Sequence, residues 1–563
     1  MRIVTVEEMR ALEAAADAAG YSYKEMMETA GRAVADRIKV LLPDTQESRV
    51  LFLIGKGNNG GDGLVAARML KDETVMTIGF VSLRDFSDEQ IKLFVTENIP
   101  CIIFSNDKYT NYTATRTVMK RADVVVDAVL GTGAKLPLRE DVQTLLKMVK
   151  QGLDERNAIP QLREKPIHFL AVDIPSGVDA DTGQAAPETL PATETITFEA
   201  LKPGHVCYPG AGLLGTLMVA SLELPSTINY PTLQQVVTLD VVRPLMPKRP
   251  ADANKGTFGK ALVVAGSGQY IGAVALAAES AYRVGAGLVT VATPAPNVGL
   301  LAPRILEATW LELSHEYGAI DESAADVIWD RFPDYTAALI GPGLGTAEAT
   351  GAFMDVLFPL DDKADPLPTT YPDPPPPSMA MDGQPAAPTA PEIKPPPLVI
   401  DADALNLLAK MDAWWKRLPP RTILTPHPGE MARLANIEAQ GDKSPSQIVQ
   451  RNRYLLAREK ARAWNCVLVL KGANTIIADP DGRVAVIPVA TPALSRAGTG
   501  DVLAGAIVGC LAQGLDPFDA AMLAAFIHGT AGNVATERLG TTASVLASDV
   551  LHAIPAAIGK VDG

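Results

Sequence analysis

Cysteine is scarce in this chain of 563 residues: there are four, Cys101, Cys207, Cys466 and Cys510, widely spaced and with no CxxC pair. That argues against a disulfide framework or a structural zinc site, and makes a reducing compartment the expected home. Positive charge is also short. Lys and Arg number 50 against 65 Asp and Glu, a net charge of −15, so the electrostatic footprint of a duplex-binding protein is missing and no nucleic acid partner is expected. No run reaches the roughly 18 uncharged apolar residues of a membrane span. The opening MRIVTVEEMRALEAAADAAG carries Glu7, Glu8, Glu13 and Asp17 where a signal peptide needs an apolar stretch. From these absences a cytoplasmic protein with no membrane partner is expected. What is present is ample core material, 47% hydrophobic with 20% charged, which excludes global disorder. At roughly 150 residues per domain the length suggests three or four units, or two large ones.

The apolar pattern from Met9 to Val40 has helical spacing, with Gly20 and Gly31 as weak points, and predicts two opening helices. RVLFLIGKGNNGGDG (Arg49 to Gly63) then reads as a buried strand, a glycine-rich turn and a helix from Leu64 to Leu70. Further apolar runs at Val75 to Val81, Cys101 to Phe104, Val124 to Leu130 and Ile167 to Ile174 leave room for crossover helices. The first half is therefore expected to be a parallel sheet with helices on both faces. Prolines at 225, 231, 244, 247 and 250 mark a boundary, after which KALVVAGSG opens a second series. Its runs are Gly287 to Ala292, Ala337 to Ile340, Leu398 to Ile400, Thr422 to Leu424 and Cys466 to Leu470, interleaved with the helical stretches Ala273 to Arg283 and Val502 to Cys510. A second, larger α/β sheet is expected there. The division is residues 1–225, a linker 226–247 and residues 248–560, with a proline-rich insertion 361–397 expected to be an extended surface loop.

Chemistry enters at the ends of these strands. Gly55 to Gly63 can hold an anion on bare backbone N–H groups or can simply be a turn; it matches neither GxGxxG nor GxxxxGK[ST]. VVVDAVLGTGAKLP places Asp127 in a strand with a loop after it, and AVDIPSGVDADTG places Asp173 at a strand end with Ser176 and Gly177 in the turn. Each Asp alone could be a helix cap or turn residue. In an open parallel sheet, however, Asn59, Asp127, Asp173 and Ser176 would converge on one crevice. In the second half, GPGLGT, DADAL, TPHPGE and KGANT each follow an apolar run. SRAGTGDVLAGAIVG exposes the N–H groups of Gly498, Thr499 and Gly500 at a helix start, and Asp501 in the first turn can take a proton from a hydroxyl or serve as a cap. His427, between two prolines, can be a site residue or can stiffen a turn.

GKGNNGGDG, VVDAVLGTG and DIPSG, in that order, resemble the NAD(P)H-hydrate epimerases over residues 1 to about 225. The resemblance implies a Rossmann-like three-layer parallel sheet. It implies that Asn58, Asn59, Gly60, Gly61 and Asp62 bind the hydrated nicotinamide nucleotide together with Gly131, Thr132, Gly133, Ala134, Lys135, Leu136 and Pro137. Asn59, Asp127 and Ser176 would surround a potassium ion (K+), and Asp173 would be the acid/base at C6. LKPGH (Leu201 to His205) is also in keeping with that family, without an assigned role.

The order GSGxYxGA, GPGLG, DADAL, TPHPGE, KGANT, GTGD resembles the ADP/ATP-dependent NAD(P)H-hydrate dehydratases, with a ribokinase-like three-layer α/β domain, over about residues 245 to 560. The insertion departs from that pattern without removing a motif. By this resemblance Ala273, Gly343, His427 and Asp501 contact the hydrate. Lys471, Gly472, Ala473, Asn474 and Thr475, with Gly498, Thr499 and Gly500, hold ADP or ATP, and Mg2+ (magnesium) bridges the phosphoryl oxygens. The fused order implies ADP-dependent repair of NADHX and NADPHX, releasing AMP and phosphate, by a homo-oligomer. Two rivals stand beside this: a small-molecule kinase of the hydroxymethylpyrimidine or hydroxyethylthiazole type, and a first domain that only binds.

Overall fold

The computed structural model describes residues 1–42, 48–71, 77–228, 234–360 and 394–563. Most of the proline-rich insertion, the start of the run at Val75, and Pro231 lie outside the described residues. The chain forms two compact units, Met1–Gln235 with Arg451–Leu455, and Val236–Gln450 with Leu456–Gly563.

The first unit opens with helices Val6–Ala18 and Tyr23–Leu41. Each begins with a reciprocal cap, Thr5 with Glu8 and Ser22 with Glu25, which satisfies two otherwise orphaned N–H groups apiece. Gly20 takes its expected place between them, but Gly31 lies inside the second helix, where an added Cβ would come within 2.4 Å of Val65 Cγ1. Close packing of two helices, not chain interruption, explains that glycine.

Seven parallel strands follow in the spatial order Cys101–Ile103, Thr77–Ser82, Arg49–Ile54, Val124–Ala128, His168–Val172, Glu194–Phe198 and Thr216–Ala220. The last two were not foreseen. ETITF lacks a continuous apolar run, and TLMVA is only half-buried at the sheet edge. Side chains of Arg49–Ile54 alternate between faces: Val50, Phe52 and Ile54 pack with Met9, Val34 and Leu64, whereas Leu51 and Leu53 pack with Met119, Leu145 and Val149. Helices thus cover both faces, giving three layers. The strand order reverses direction at Arg49–Ile54, so a crevice opens beyond the carboxyl ends of that strand and Val124–Ala128.

The second unit has the same logic on a longer sheet. Its strands run Thr309–Leu313, Leu288–Pro294, Lys260–Val264, Ala337–Ile340, Leu398–Ile400, Ile423–Leu424 and Val467–Leu470 in parallel, then Ile476–Ala478 and Val484–Val486 antiparallel. Ala261 and Val263 face a core built with helices Ile271–Arg283, Thr499–Ala512, Pro517–Leu539 and Ala547–Asp562, while Leu262 and Val264 are equally buried outside that core. The order reverses at Lys260–Val264. Among the described residues no helix is long and apolar enough to cross a membrane.

Candidate functional site

In the first unit the helix after the first strand spans Asn58–Lys71, so the glycine run expected as a turn forms the opening of the helix itself. The glycines allow this. A Cβ on Gly55 would lie 1.8 Å from the Val129 carbonyl oxygen, and one on Gly60 would lie 2.1 Å from the Gly55 carbonyl oxygen, so only bare backbone lets strand, helix and neighbouring loop approach so closely. The helix start consequently borders a cavity of about 1430 Å³. Asn58, Asn59, Asp62, Gly131, Thr132, Gly133, Lys135 and Pro137 line it, with Asp173 and Lys202 at its strand-end wall. Gly60, Gly61, Ala134 and Leu136 do not: Gly60 is backed against Gly55, Gly61 against Met27, Ala134 is buried in its own turn, and Leu136 is exposed.

Asp173 is the best-held group on this wall. Its backbone sits in the left-handed region (φ 67°), a sparsely populated conformation for a residue with a side chain. Lys202 Nζ (2.8 Å) and the Thr197 hydroxyl (2.9 Å) donate to Oδ1, and the Thr132 N–H (3.1 Å) donates to Oδ2. Burial pushes the carboxyl up, but Lys202 and these hydrogen bonds outweigh it, and the group lies below its ordinary value. LKPGH acquires a role here. The Lys202 N–H donates to His205 Nδ1 (2.9 Å), leaving Nε2 to donate to the Asp173 carbonyl (2.8 Å). Burial and Lys202 hold this imidazole down at about 4, so it is neutral and pins the strained residue to the lysine that neutralises it. Sequence reading singled out the pentapeptide but not Lys202 or Thr197, which reach Asp173 only through the fold.

Asp127 and Ser176 are bonded directly: the Ser176 hydroxyl donates to Oδ1 (2.6 Å) and its N–H to Oδ2 (2.8 Å). Burial pushes the Asp127 carboxyl up, only partly offset by Ser176 and the Val129 N–H. Asn59 is brought to the same region, since a Cβ on Gly131 would lie 3.0 Å from both Asn59 Oδ1 and Asp173 Oδ2. Among the described residues the buried Asn59 Nδ2 has no hydrogen-bond partner.

In the second unit Asp501 lies in the first turn of Thr499–Ala512, after Gly498 at φ 89°. Of the three N–H groups expected to be exposed, that of Thr499 is returned to the Arg496 carbonyl (3.3 Å), because the chain turns back on itself before the helix. Lys471 Nζ is 2.8 Å from Asp401 Oδ1 and 3.9 Å from Glu430 Oε2, and a Cβ on Gly500 would lie 3.4 Å from it. Thr425 donates to the same Asp401 oxygen (2.6 Å), while the buried Asp401 Oδ2 has no hydrogen-bond partner among the described residues. Burial, then Asp401, raise the Asp501 carboxyl to about 7 against the pull of Lys471; burial likewise raises Glu430 to about 7. Asp401 and Glu430 were missed as site residues although DADAL and TPHPGE carry them.

Gly343 (φ 65°) lies against Tyr270 and Ala273, its added Cβ meeting the Ala273 Cβ at 3.0 Å, so those two expected residues are neighbours. His427 caps helix Pro428–Leu434: its Nδ1 accepts from the N–H groups of Gly429 (3.0 Å) and Glu430 (3.3 Å), which places the remaining proton on Nε2, 3.3 Å from Glu430 Oε1. Lys471 to Thr475 form the connection to Ile476–Ala478, with Gly472 and Ala473 exposed. Among the described residues no group of three or more His, Cys, Asp or Glu side chains could hold a metal ion.

Two α/β units, each with carboxylates and bare-backbone loops at the carboxyl-end face of a parallel sheet, Asp173 in one and Asp401 with Asp501 in the other, have the build of a two-site enzyme. A family model described as YjeF-related protein N-terminus matches residues 23–204, and one described as NAD(P)H-hydrate dehydratase matches 261–366 and 387–556. The chain is 33% identical to the bifunctional NAD(P)H-hydrate repair enzyme of Moorella thermoacetica over 94% of its length and 91% of the relative's. It is 30% identical to that of Escherichia coli K12, over 96% and 90%. A crystal structure of the ADP/ATP-dependent NAD(P)H-hydrate dehydratase from Bacillus subtilis, co-crystallised with ATP and Mg2+, is 29% identical. It covers 58% of this chain and 98% of its own, with a TM-score of 0.44. The chain belongs to the family of bifunctional NAD(P)H-hydrate repair enzymes.

Proposed function

We infer that residues 1–225 interconvert the R and S hydrates of NADH and NADPH, and that residues 248–560 dehydrate the S form with ADP, releasing AMP and phosphate. The observation that carries this reading is that each half of this family member keeps a positioned carboxylate at its strand-end crevice: Asp173 held by Lys202, and Asp501 facing the Lys471–Asp401 pair. In the first unit Asp173, already ionised, accepts the proton of the C6 hydroxyl, and the helix start at Asn58, Asn59 and Asp62 with the loop residues Gly131, Thr132, Gly133, Lys135 and Pro137 seat the nucleotide. The buried side-chain oxygens of Asn59, Asp127 and Ser176 are the donor type that suits K+, a hard monovalent cation.

In the second unit Asp501 takes the proton of the same hydroxyl as it attacks the terminal phosphoryl group, since a carboxyl near 7 can accept a proton and give it up again. The N–H groups of the helix start and the loop Lys471 to Thr475 hold the nucleotide phosphates. Mg2+, when bound, neutralises charge on the transferring group. Phosphate then leaves where hydroxide could not. Fusion is sensible because a dehydratase specific for S alone would strand the R form. Assembly as a homo-oligomer belongs to the same reading and is read out by light scattering.

The test uses the purified full chain, a mixture of R and S hydrates, K+, Mg2+ and either ADP or ATP, with absorbance of the reduced nicotinamide as the signal. Complete recovery is expected, faster with ADP. Recovery halting at the S fraction would make the first unit a binding module, and a stable phosphorylated product would make the second a small-molecule kinase.

A further inference from the structure

The cavity of the first unit holds a second carboxyl whose surroundings are the reverse of those of Asp173. Asp62 projects from helix Asn58–Lys71 into the cavity, and among the described residues no hydrogen bond reaches its side chain. The charged groups that act on it come from three directions: Glu13 on helix Val6–Ala18, Asp173 at the end of its strand, and Lys202 beyond Glu194–Phe198. Arg10, on the same helix as Glu13, and Lys24, on the second helix, also line the cavity. Lys202 is already engaged, its ammonium 2.8 Å from Asp173 Oδ1 and 2.9 Å from the Thr197 hydroxyl. Lys56, Lys135 and Arg139 line it as well, and Arg10 acts on Glu13, but the cation that acts on Asp62 is Lys202, and geometry gives that one to Asp173. Like charges crowded in a cavity cannot all ionise, and the carboxyl without donors is the one that keeps its proton. Burial, then Asp173 and Glu13, accordingly push Asp62 well above its ordinary value.

We propose that Asp62 is the general acid of epimerisation, working opposite Asp173 as the general base. This rests on the epimerase reading above. C6 bears both the hydroxyl and ring nitrogen N1, so exchange needs one acceptor and one donor at adjacent atoms. Asp173 takes the hydroxyl proton as the oxygen forms the C6 carbonyl; the C6–N1 bond breaks with its electron pair going to N1, which takes the Asp62 proton. Rotation about the neighbouring C–C bond presents the other carbonyl face. N1 re-attacks, returning its proton to Asp62, while Asp173 returns the other to oxygen. No atom or electron is gained or lost.

The experiment follows R/S exchange by chromatography on the full-length protein with K+ and no nucleotide, comparing wild type, Asp62→Asn and Asp62→Glu. Wild-type exchange should slow as pH rises and Asp62 loses its proton. Asp62→Asn should lower kcat by about 100-fold with KM changed less than about threefold, and should abolish that alkaline limb; Asp62→Glu should restore part of both. An unchanged kcat, or a raised KM with the limb intact, overturns the proposal and makes Asp62 a nucleotide-binding residue. If wild type itself shows no exchange, the epimerase reading fails instead. Unchanged melting of Asp62→Asn separates lost chemistry from lost folding.

Discussion

Asp173 and Asp501 occupy corresponding places in the two units, each at the carboxyl-end face of a parallel sheet, and yet the fold prepares them oppositely. Asp173 receives an ammonium, a hydroxyl and a backbone N–H and lies below its ordinary value. Asp501 is raised to about 7 by burial and then by Asp401, with Asp403 and Glu430 adding to it and only Lys471 opposing. The same side chain thus becomes a standing anion in one unit and a group poised between its two forms in the other. In the proposed chemistry both carboxylates take a proton and give it up again; what differs is the resting state, ionised for Asp173 and divided between two forms near neutral pH for Asp501.

The largest break in this comparison is Asp501→Asn, which should lower dehydration of the S hydrate by about 10³-fold while leaving R/S exchange intact; parallel loss of both would mean misfolding. The pH dependence sharpens it. Because Asp501 must be ionised to accept a proton, the wild-type dehydration rate should climb as pH rises through about 7, and exchange, served by an already ionised Asp173, should lack that acid limb. A pH-independent dehydration rate between 6 and 8 would separate Asp501 from the proton transfer (the range is about one unit either side of its value).

Next in size, Asp173→Asn should reduce exchange by about 10²-fold and spare S-hydrate consumption, so recovery from a mixture stops at the S fraction. Normal R turnover in this variant would remove Asp173 from the mechanism. Lys202→Met converts the first site toward the second: Asp173 keeps its burial but loses its cation, so its carboxyl rises and an acid limb should appear in the exchange profile. Loss of one partner of so buried a pair should also cost about 3–5 kcal/mol of stability, read by denaturant unfolding. Smallest of all, deleting residues 367 to 392 should change either rate by less than about twofold, as for a tolerated surface loop; a large loss would assign the insertion a function.

Much of this comparison is legible in the chain. The buried parallel strands announce themselves as apolar runs, and Ala337–Ile340 and Leu398–Ile400 fall where expected, because a strand covered on both faces has no polar alternation to blur it. Glu194–Phe198, interrupted by Glu194, Thr195 and Thr197, lacks that signal, whereas the edge strand Thr216–Ala220 carries it in Leu217 to Ala220 and is still only half-buried. Helix starts are also harder. GKGNNGG reads as a turn since glycine disfavours helix, but tertiary packing against Val129 and Gly55 overrides the propensity.

The sequence by itself determined which carboxylates, glycines and hydroxyls stand at strand ends, since motif order and apolar spacing are local properties of the chain. Only the tertiary structure decided what each carboxylate meets. Lys202 lies 29 residues from Asp173, Ser176 lies 49 from Asp127, and Lys471 lies 70 from Asp401. A protonation state is set by the charges and donors within a few ångströms, and those neighbours are chosen by how strands pair across a sheet, not by how residues follow one another along the chain.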